Sequence, residues 1–285
     1  MDLGAKGLRR LEHLAKYRWL TVPQLAALEH FKVRASRKWL AALVERKLAS
    51  HVELPALRGV PGRPESAFCL TTAGTKLLGA RGESPTDGSL ETPGKGSHGI
   101  AHHVLLNWLR IHLADMPERV PGMSVPAETW GRQLLPGVSF IPDGAFVLAH
   151  AARPQRLLFF LEVDRGTESL GGSPSGKGSL REKVTNYQRF FRERTYKGYE
   201  ELWHSQFTGF RLLILAETPE RLGALCRLVQ ALPPSNFIWL TDRSRLLAHG
   251  LAGVIWTRGG REGQPGESLL GPTLACSSPL PVLDS

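Results

Sequence analysis

The sequence predicts an α+β chain in two parts: a small helical unit closed by a β-hairpin, then a larger α/β domain with a mixed central sheet. Three observations predict it. Residues 79–97, GARGESPTDGSLETPGKGS, hold one large apolar residue, Leu90, among Gly, Pro, Ser and Thr, which is the composition of a linker. Apolar spacing is mostly helical before that stretch, whereas after it helical periods alternate with short apolar runs of strand length. Charge is divided as well. The whole chain of 285 residues carries 36 Lys+Arg against 26 Asp+Glu, and residues 1–80 alone hold 14 against 6, a net of +8 out of +10.

In the first domain, residues 1–78, Leu8, Leu11, Leu14 and Ala15 have the spacing of a helix face. Thr21 caps a second helix with Pro23 and Gln24 in its first turn and Leu25, Ala26 and Leu28 facing inward. A third helix runs over Arg34–Leu48, with Trp39, Leu40, Leu43, Val44 and Leu48 inward. Strands follow over 50–54 and 67–70, joined by the basic turn Arg58-Gly-Val-Pro-Gly-Arg63-Pro, and a last helix starts near Thr72. Three helices, a hairpin and a closing helix make a winged helix-turn-helix. Arg34, Ser36, Arg37 and Lys38 open the third helix, the end that enters the major groove in such modules, and Arg58 and Arg63 sit at the wing tip. This basic unit is therefore expected to bind double-stranded DNA, with phosphate contacts supplying salt-dependent affinity.

The second domain, 98–256, starts with a helix over 99–116 carrying Ile100, Val104, Leu105, Trp108, Leu109 and Leu113 inward. Strands are expected over 138–148, 156–164, 210–216 and 236–241, helices over 180–194 and 219–232, and an edge strand over 253–256. From residue 257 onward, Gly, Pro and Ser describe a poorly ordered tail.

The segment Leu157-Leu-Phe-Phe-Leu-Glu162-Val-Asp164 carries the chemistry. It reads as a central strand whose end places Glu162 and Asp164 on one face. Two like charges there need a cation or hydrogen bonds to compensate them. Asp143, in Ile141-Pro-Asp-Gly-Ala-Phe146, adds a third acid, although Pro-Asp-Gly is also an ordinary turn sequence. Three convergent carboxylates would form an oxygen cage suited to Mg²⁺ or Mn²⁺. Lys183 shares the inward side of its helix with Leu180, Val184 and Tyr187, so it is expected to face these acids and support water or phosphate.

Several signals point elsewhere and were set aside. The stretch 171–178 nearly spells a phosphate-binding loop, but Gly178 stands where a magnesium-holding Ser or Thr belongs. Cys69, Cys226 and Cys276 are far apart and form no zinc or disulfide pattern. No apolar run approaches the roughly 20 residues of a membrane span, and the N-terminus lacks a signal h-region. A soluble, cytoplasmic protein is the expectation.

Helix-turn-helix, wing, linker, His103-x-x-x-Asn107, Pro142-Asp143-Gly144, the run Phe160-Leu-Glu-Val-Asp-Arg-Gly-Thr-Glu168 and Lys183-x-x-x-Tyr187 occur in that order. Together they resemble the replication-relaxation family of plasmid and mobile-element proteins, over roughly residues 5–232. The second half is similar to the PD-(D/E)xK nuclease fold. That resemblance implies a restriction-endonuclease-like domain in which Asp143 and Glu162 are metal ligands. Asp164 replaces the usual lysine of the (D/E)xK motif, and Lys183 is placed to substitute for it from the helix. The implied function is divalent-metal-dependent cutting or nicking of DNA. The alternative is a non-catalytic initiator or regulator that uses a degenerate nuclease fold for dimerisation or for docking replication or mobilisation proteins.

Overall fold

The computed structural model describes residues 4–55, 64–79, 97–132, 134–135, 138–167, 169–170, 179–264 and 266–271. They form two compact units that divide inside one helix, between Ile111 and His112. Among the described residues no helix is long and apolar enough to cross a membrane.

In the first unit α1 (Gly4–Tyr17), β1 (Leu20–Thr21), α2 (Val22–Leu28) and α3 (Val33–Glu45) precede the hairpin β2 (Ala49–Glu53) and β3 (Ser66–Leu70), then α4 (Thr72–Gly79). The three strands form an antiparallel sheet in the order β1-β3-β2. The expected cap on α2 is present as a full capping box. The Gln24 amide N–H donates to Thr21 Oγ1 at 3.4 Å, and the Thr21 N–H donates to Gln24 Oε1 at 3.1 Å. Leu11, Leu14, Leu25, Leu40 and Leu43 are the buried stripes of α1, α2 and α3.

Helix α5 (Ser97–Arg119) begins in this unit and not wholly in the second, as its sequence position suggested. The physical reason lies in three side chains one helical face apart. Asn107 Nδ2 donates to the carbonyls of Tyr17 and Trp19 at 3.0 and 2.6 Å. His103 Nε2 donates to Tyr17 O at 2.8 Å, and Arg110 reaches Lys16 O at 3.3 Å while stacking on the Tyr17 ring. A helix C-terminus leaves its last carbonyls without partners, and α5 supplies them for α1. Burial lowers the His103 pKa to about 4, so the ring is neutral and its proton sits on the nitrogen facing the carbonyl.

The second unit is built on a six-stranded sheet ordered β4-β5-β6-β7-β8-β9. Its strands are β4 (Met123–Trp130), β5 (Gly144–His150), β6 (Arg153–Asp164), β7 (Phe210–Ala216), β8 (Ile238–Asp242) and β9 (Thr257–Arg258). The central trio β6, β7 and β8 is parallel and the outer pairings are antiparallel. Helices α6 (Leu180–Arg192), α7 (Gly198–Leu202), α8 (Pro219–Gln230) and α9 (Arg243–His249) complete it. Leu158, Phe160, Leu212 and Ile214 pack one sheet face against Val184 and Tyr187 of α6 and Leu222 and Leu225 of α8.

Three expectations are corrected. The strand expected over 138–148 starts only at Gly144. Its place before that is taken by an irregular approach, and β4, which the sequence reading lacked, lies beside it. Gly144 is required there, because a Cβ at that position would sit 2.5 Å from the Trp130 ring. The edge strand expected over 253–256 is instead β9, paired with Trp239 and Leu240. Part of the expected tail is packed: Glu267 bridges to Trp256, and Leu269 and Leu270 are buried. Residues 272–285 lie outside the described residues, as does the expected 79–97 linker apart from its ends, Gly79 in α4 and Ser97 in α5.

Glu29 follows the last residue of α2, and its buried carboxylate receives Arg9 and Arg10 of α1 at 3.1 Å each. Burial pushes its pKa up, but the guanidinium hydrogen bonds win and hold it below the ordinary range. The folded pKa is thus below the unfolded one, so this stabilisation is present above the unfolded value and lost as pH falls through the folded value. Glu29→Gln is expected to cost about 1–2 kcal/mol at neutral pH. In urea titrations the difference from wild type should shrink below about pH 4.

Candidate functional site

The acidic centre lies where β6 outruns β5. The last register pair between these strands is Gly144 with Leu161, leaving Glu162, Val163 and Asp164 beyond it. Asp143, immediately before β5, completes the ladder with its side chain, and the Val163 N–H donates to its Oδ2 at 2.7 Å. The Phe140 ring packs tilted against Tyr187, centroids 4.6 Å apart, and anchors the chain just ahead of Pro142 and Asp143. Asp143 therefore does more than shape a turn.

Glu162 is 4% exposed. Tyr187 of α6 donates its hydroxyl to Glu162 Oε1 at 2.7 Å, and Lys183, one turn earlier, brings Nζ to 3.2 Å from Oε2. The four-residue spacing puts both groups on the helix face that meets the sheet. Burial, and then the charge of Asp143, raise the Glu162 pKa to about 7 against the opposing pull of Lys183 and Tyr187. Burial and the neighbouring Glu162 hold the Tyr187 hydroxyl well above 10, so it remains a donor. Asp143, Glu162 and Lys183 are thus brought together as expected, with Tyr187 as the fourth member. Tyr187 was legible only as an apolar-stripe residue.

Asp164 is drawn away from this group. Arg221 grips both of its oxygens, Nε to Oδ1 at 2.6 Å and Nη2 to Oδ2 at 2.9 Å, and the Gly166 N–H also donates to Oδ1. Among the described residues the three acids do not form a set with every donor atom within 4.8 Å of the others. The expected three-carboxylate cage is therefore reduced to the pair Asp143 and Glu162. Arg221 escaped the sequence reading because it sits in the first turn of α8, 57 residues from Asp164. Only the parallel pairing of β6 with β7 carries it there. The buried Glu162 and the partly buried Asp143, with partly uncompensated repulsion, offer hard oxygen donors, and Lys183 offers a positive charge beside them.

In the first unit, Arg34, Arg37 and Lys38 of α3 are exposed along its N-terminal half. Ser36 does not join them. It is 5% exposed, on the inner face that carries Leu40 and Leu43. Trp39 is half-buried, not core, and the Arg10 guanidinium lies 5.4 Å from its ring centroid. Arg58 and Arg63 fall outside the described residues.

Sheet and site together define a two-unit α+β protein with a basic helical module and a carboxylate pair, Glu162 buried and Asp143 partly so, at the end of a central strand of a mixed sheet. The replication-relaxation family model matches residues 11–204, more than half of the chain, and the chain belongs to that family. Membership carries a role in plasmid or mobile-element replication or relaxation. The match includes Asp143, Glu162, Lys183 and Tyr187 but ends before Arg221. No curated protein matches the chain. No solved structure matches it.

Two measurements test the site's energetics. Since the Glu162 pKa is raised above its unfolded value, the folded protein binds the extra proton and wild type loses stability as pH rises between the two values. Glu162→Gln removes this dependence, so chemical denaturation from about pH 5 to pH 8 should show wild type falling relative to the variant. Arg221→Gln leaves Asp164 buried without its partner and should cost about 3 kcal/mol or more.

Proposed function

We propose that the chain binds double-stranded DNA through α3 and cleaves or nicks it at the Asp143–Glu162 centre with Mg²⁺ or Mn²⁺. The observation that carries this reading is the convergence of a β5-entry aspartate, a β6-end glutamate and Lys183, whose Nζ lies 3.2 Å from Glu162 Oε2. It supports a PD-(D/E)xK-like site whose lysine comes from α6. The order of helices and hairpin in the first unit, with three exposed cations on α3, supports a winged helix-turn-helix.

The carboxylate pair fits a hard divalent cation, because burial and then the charge of Asp143 already raise the Glu162 pKa, and a cation would offset both. Such a cation would polarise a phosphodiester and lower the pKa of an attacking water. Tyr187 holds Glu162 Oε1 and so fixes the plane of the carboxylate. The Val163 N–H fixes Asp143 in the same way. Lys183 is 30% exposed, so its ammonium can pair with Glu162 in the resting site and swing to a phosphate oxygen as negative charge develops there. Asp164 and Arg221 act as a buried brace at the strand end.

That brace also favours a second reading. The position of the usual lysine is an aspartate committed to an arginine, as in a fold that keeps its acids for structure and serves as an initiator or regulator. Supercoiled plasmid with Mg²⁺ or Mn²⁺ separates the two. The nuclease reading expects open-circular or linear product from wild type, and none with chelator or Glu162→Ala. Gel retardation at physiological salt should be lost in the Arg37→Ala, Lys38→Ala double variant under either reading, and its residual binding at low salt should have a salt slope lower by about one per phosphate contact removed.

A further inference from the structure

The second unit holds a cavity of about 230 Å³ that the acidic centre does not use. It is lined by the starts of β4 and β6, the end of β5, Arg211 of β7 and the segment 269–271. Strand alternation puts Leu157, which lines it, on the opposite sheet face from Glu162. Arg153 stands nine residues before Glu162 on the same strand, roughly 30 Å away along it at about 3.3 Å per residue.

The lining has one sign of charge. Arg153 and Arg211 contribute guanidinium groups and, among the described residues, no carboxylate lines the space, while Met123, Leu148, Leu157 and Leu270 form apolar walls. Arg211 is rigid: it lies 4.4 Å from the Trp239 ring centroid and 5.8 Å from that of Phe159. Its hydrogen bond to Leu269 O, like that of Arg153 to Leu270 O, is stretched to 3.5 Å. Burial, and then the charge of Arg258, lower the Arg211 pKa against the pull of Glu267, which itself lies 3.7 Å from Arg258. His150 is committed elsewhere, accepting from the Ala152 N–H at Nδ1 and donating from Nε2 to Pro121 O.

The geometry points to this cavity as a binding site for a small organic anion, an oxyanion group carried on a compact apolar body. Arg211, preset by its stack on Trp239, and Arg153 at the rim take the oxyanion, and the leucines and Met123 enclose the body. The volume is below that of drug-sized pockets, so the ligand is compact. A carboxylate and a phosphate monoester share the required chemistry.

Calorimetric titration of the full chain with phenyl phosphate and with benzoate tests this, beside inorganic phosphate and phenol. Saturable one-to-one binding of either aromatic anion, at least about tenfold tighter than both controls, is expected. The stronger of the two identifies the oxyanion. Arg211→Met should weaken binding about tenfold or more, and exposed Arg153→Gln, which keeps the fold, should weaken it severalfold. Glu162→Gln and the Arg37→Ala, Lys38→Ala double variant should bind as wild type does. No binding at millimolar ligand, equal binding of inorganic phosphate or phenol, or indifference to Arg153→Gln would overturn the assignment.

Discussion

Burying a carboxylate at the end of an apolar strand is the constraint around which the second unit is arranged. Glu162 ends a run of five apolar residues in the middle of a sheet, and its charge must be answered by side chains from other elements. Tyr187 and Lys183 answer it from α6, which fixes the rotation of that helix on the sheet. Asp143 opposes it from the entry to β5, where its own carboxylate replaces a missing ladder partner for Val163. The result is compensated enough to fold, yet burial and then the charge of Asp143 still raise the Glu162 pKa. A site in that condition gains when a cation arrives.

Two residues further on, the same problem has a different solution. Asp164 is as buried as Glu162, yet it is closed off by a bidentate arginine and a backbone N–H. One strand end thus carries two acids with opposite fates, set by which helix lies over each. α6 brings a phenol and a flexible ammonium, whereas α8 brings a planar guanidinium that matches both carboxylate oxygens. This contrast divides the acids into an open pair and a structural brace.

Much of this was legible in the sequence. The 3.6-residue stripes of α2, α3, α6 and α8 and the apolar runs of β6 and β7 are local signals, and the Thr21–Gln24 capping box is written in four residues. The helical arithmetic that pointed Lys183 at the acids holds because α6 is a regular helix with Tyr187 one turn on. What escaped depends on distant segments. β4 includes Pro126 and a register shift between Ser124 and Ala127, so it shows no clean alternation. Ser36 looked like a surface donor because its neighbours are basic, but its helical phase matches Leu40 and Leu43. Arg221 and the buried Leu269 and Leu270 acquire meaning only once the sheet order is known. The division inside α5 is likewise invisible until His103, Asn107 and Arg110 are seen closing the end of α1.

The central claim is that Asp143 and Glu162 form a divalent-cation site. Anomalous diffraction from crystals of the full chain soaked in Mn²⁺ tests it most directly. The account predicts one strong peak at about 2.2 Å from carboxylate oxygens of both Asp143 and Glu162, absent in Glu162→Gln, with Asp164 still held by Arg221. Density with no such peak, and Lys183 still seated on Glu162 at saturating Mn²⁺, would contradict it and leave the acids as the scaffold of a binding domain.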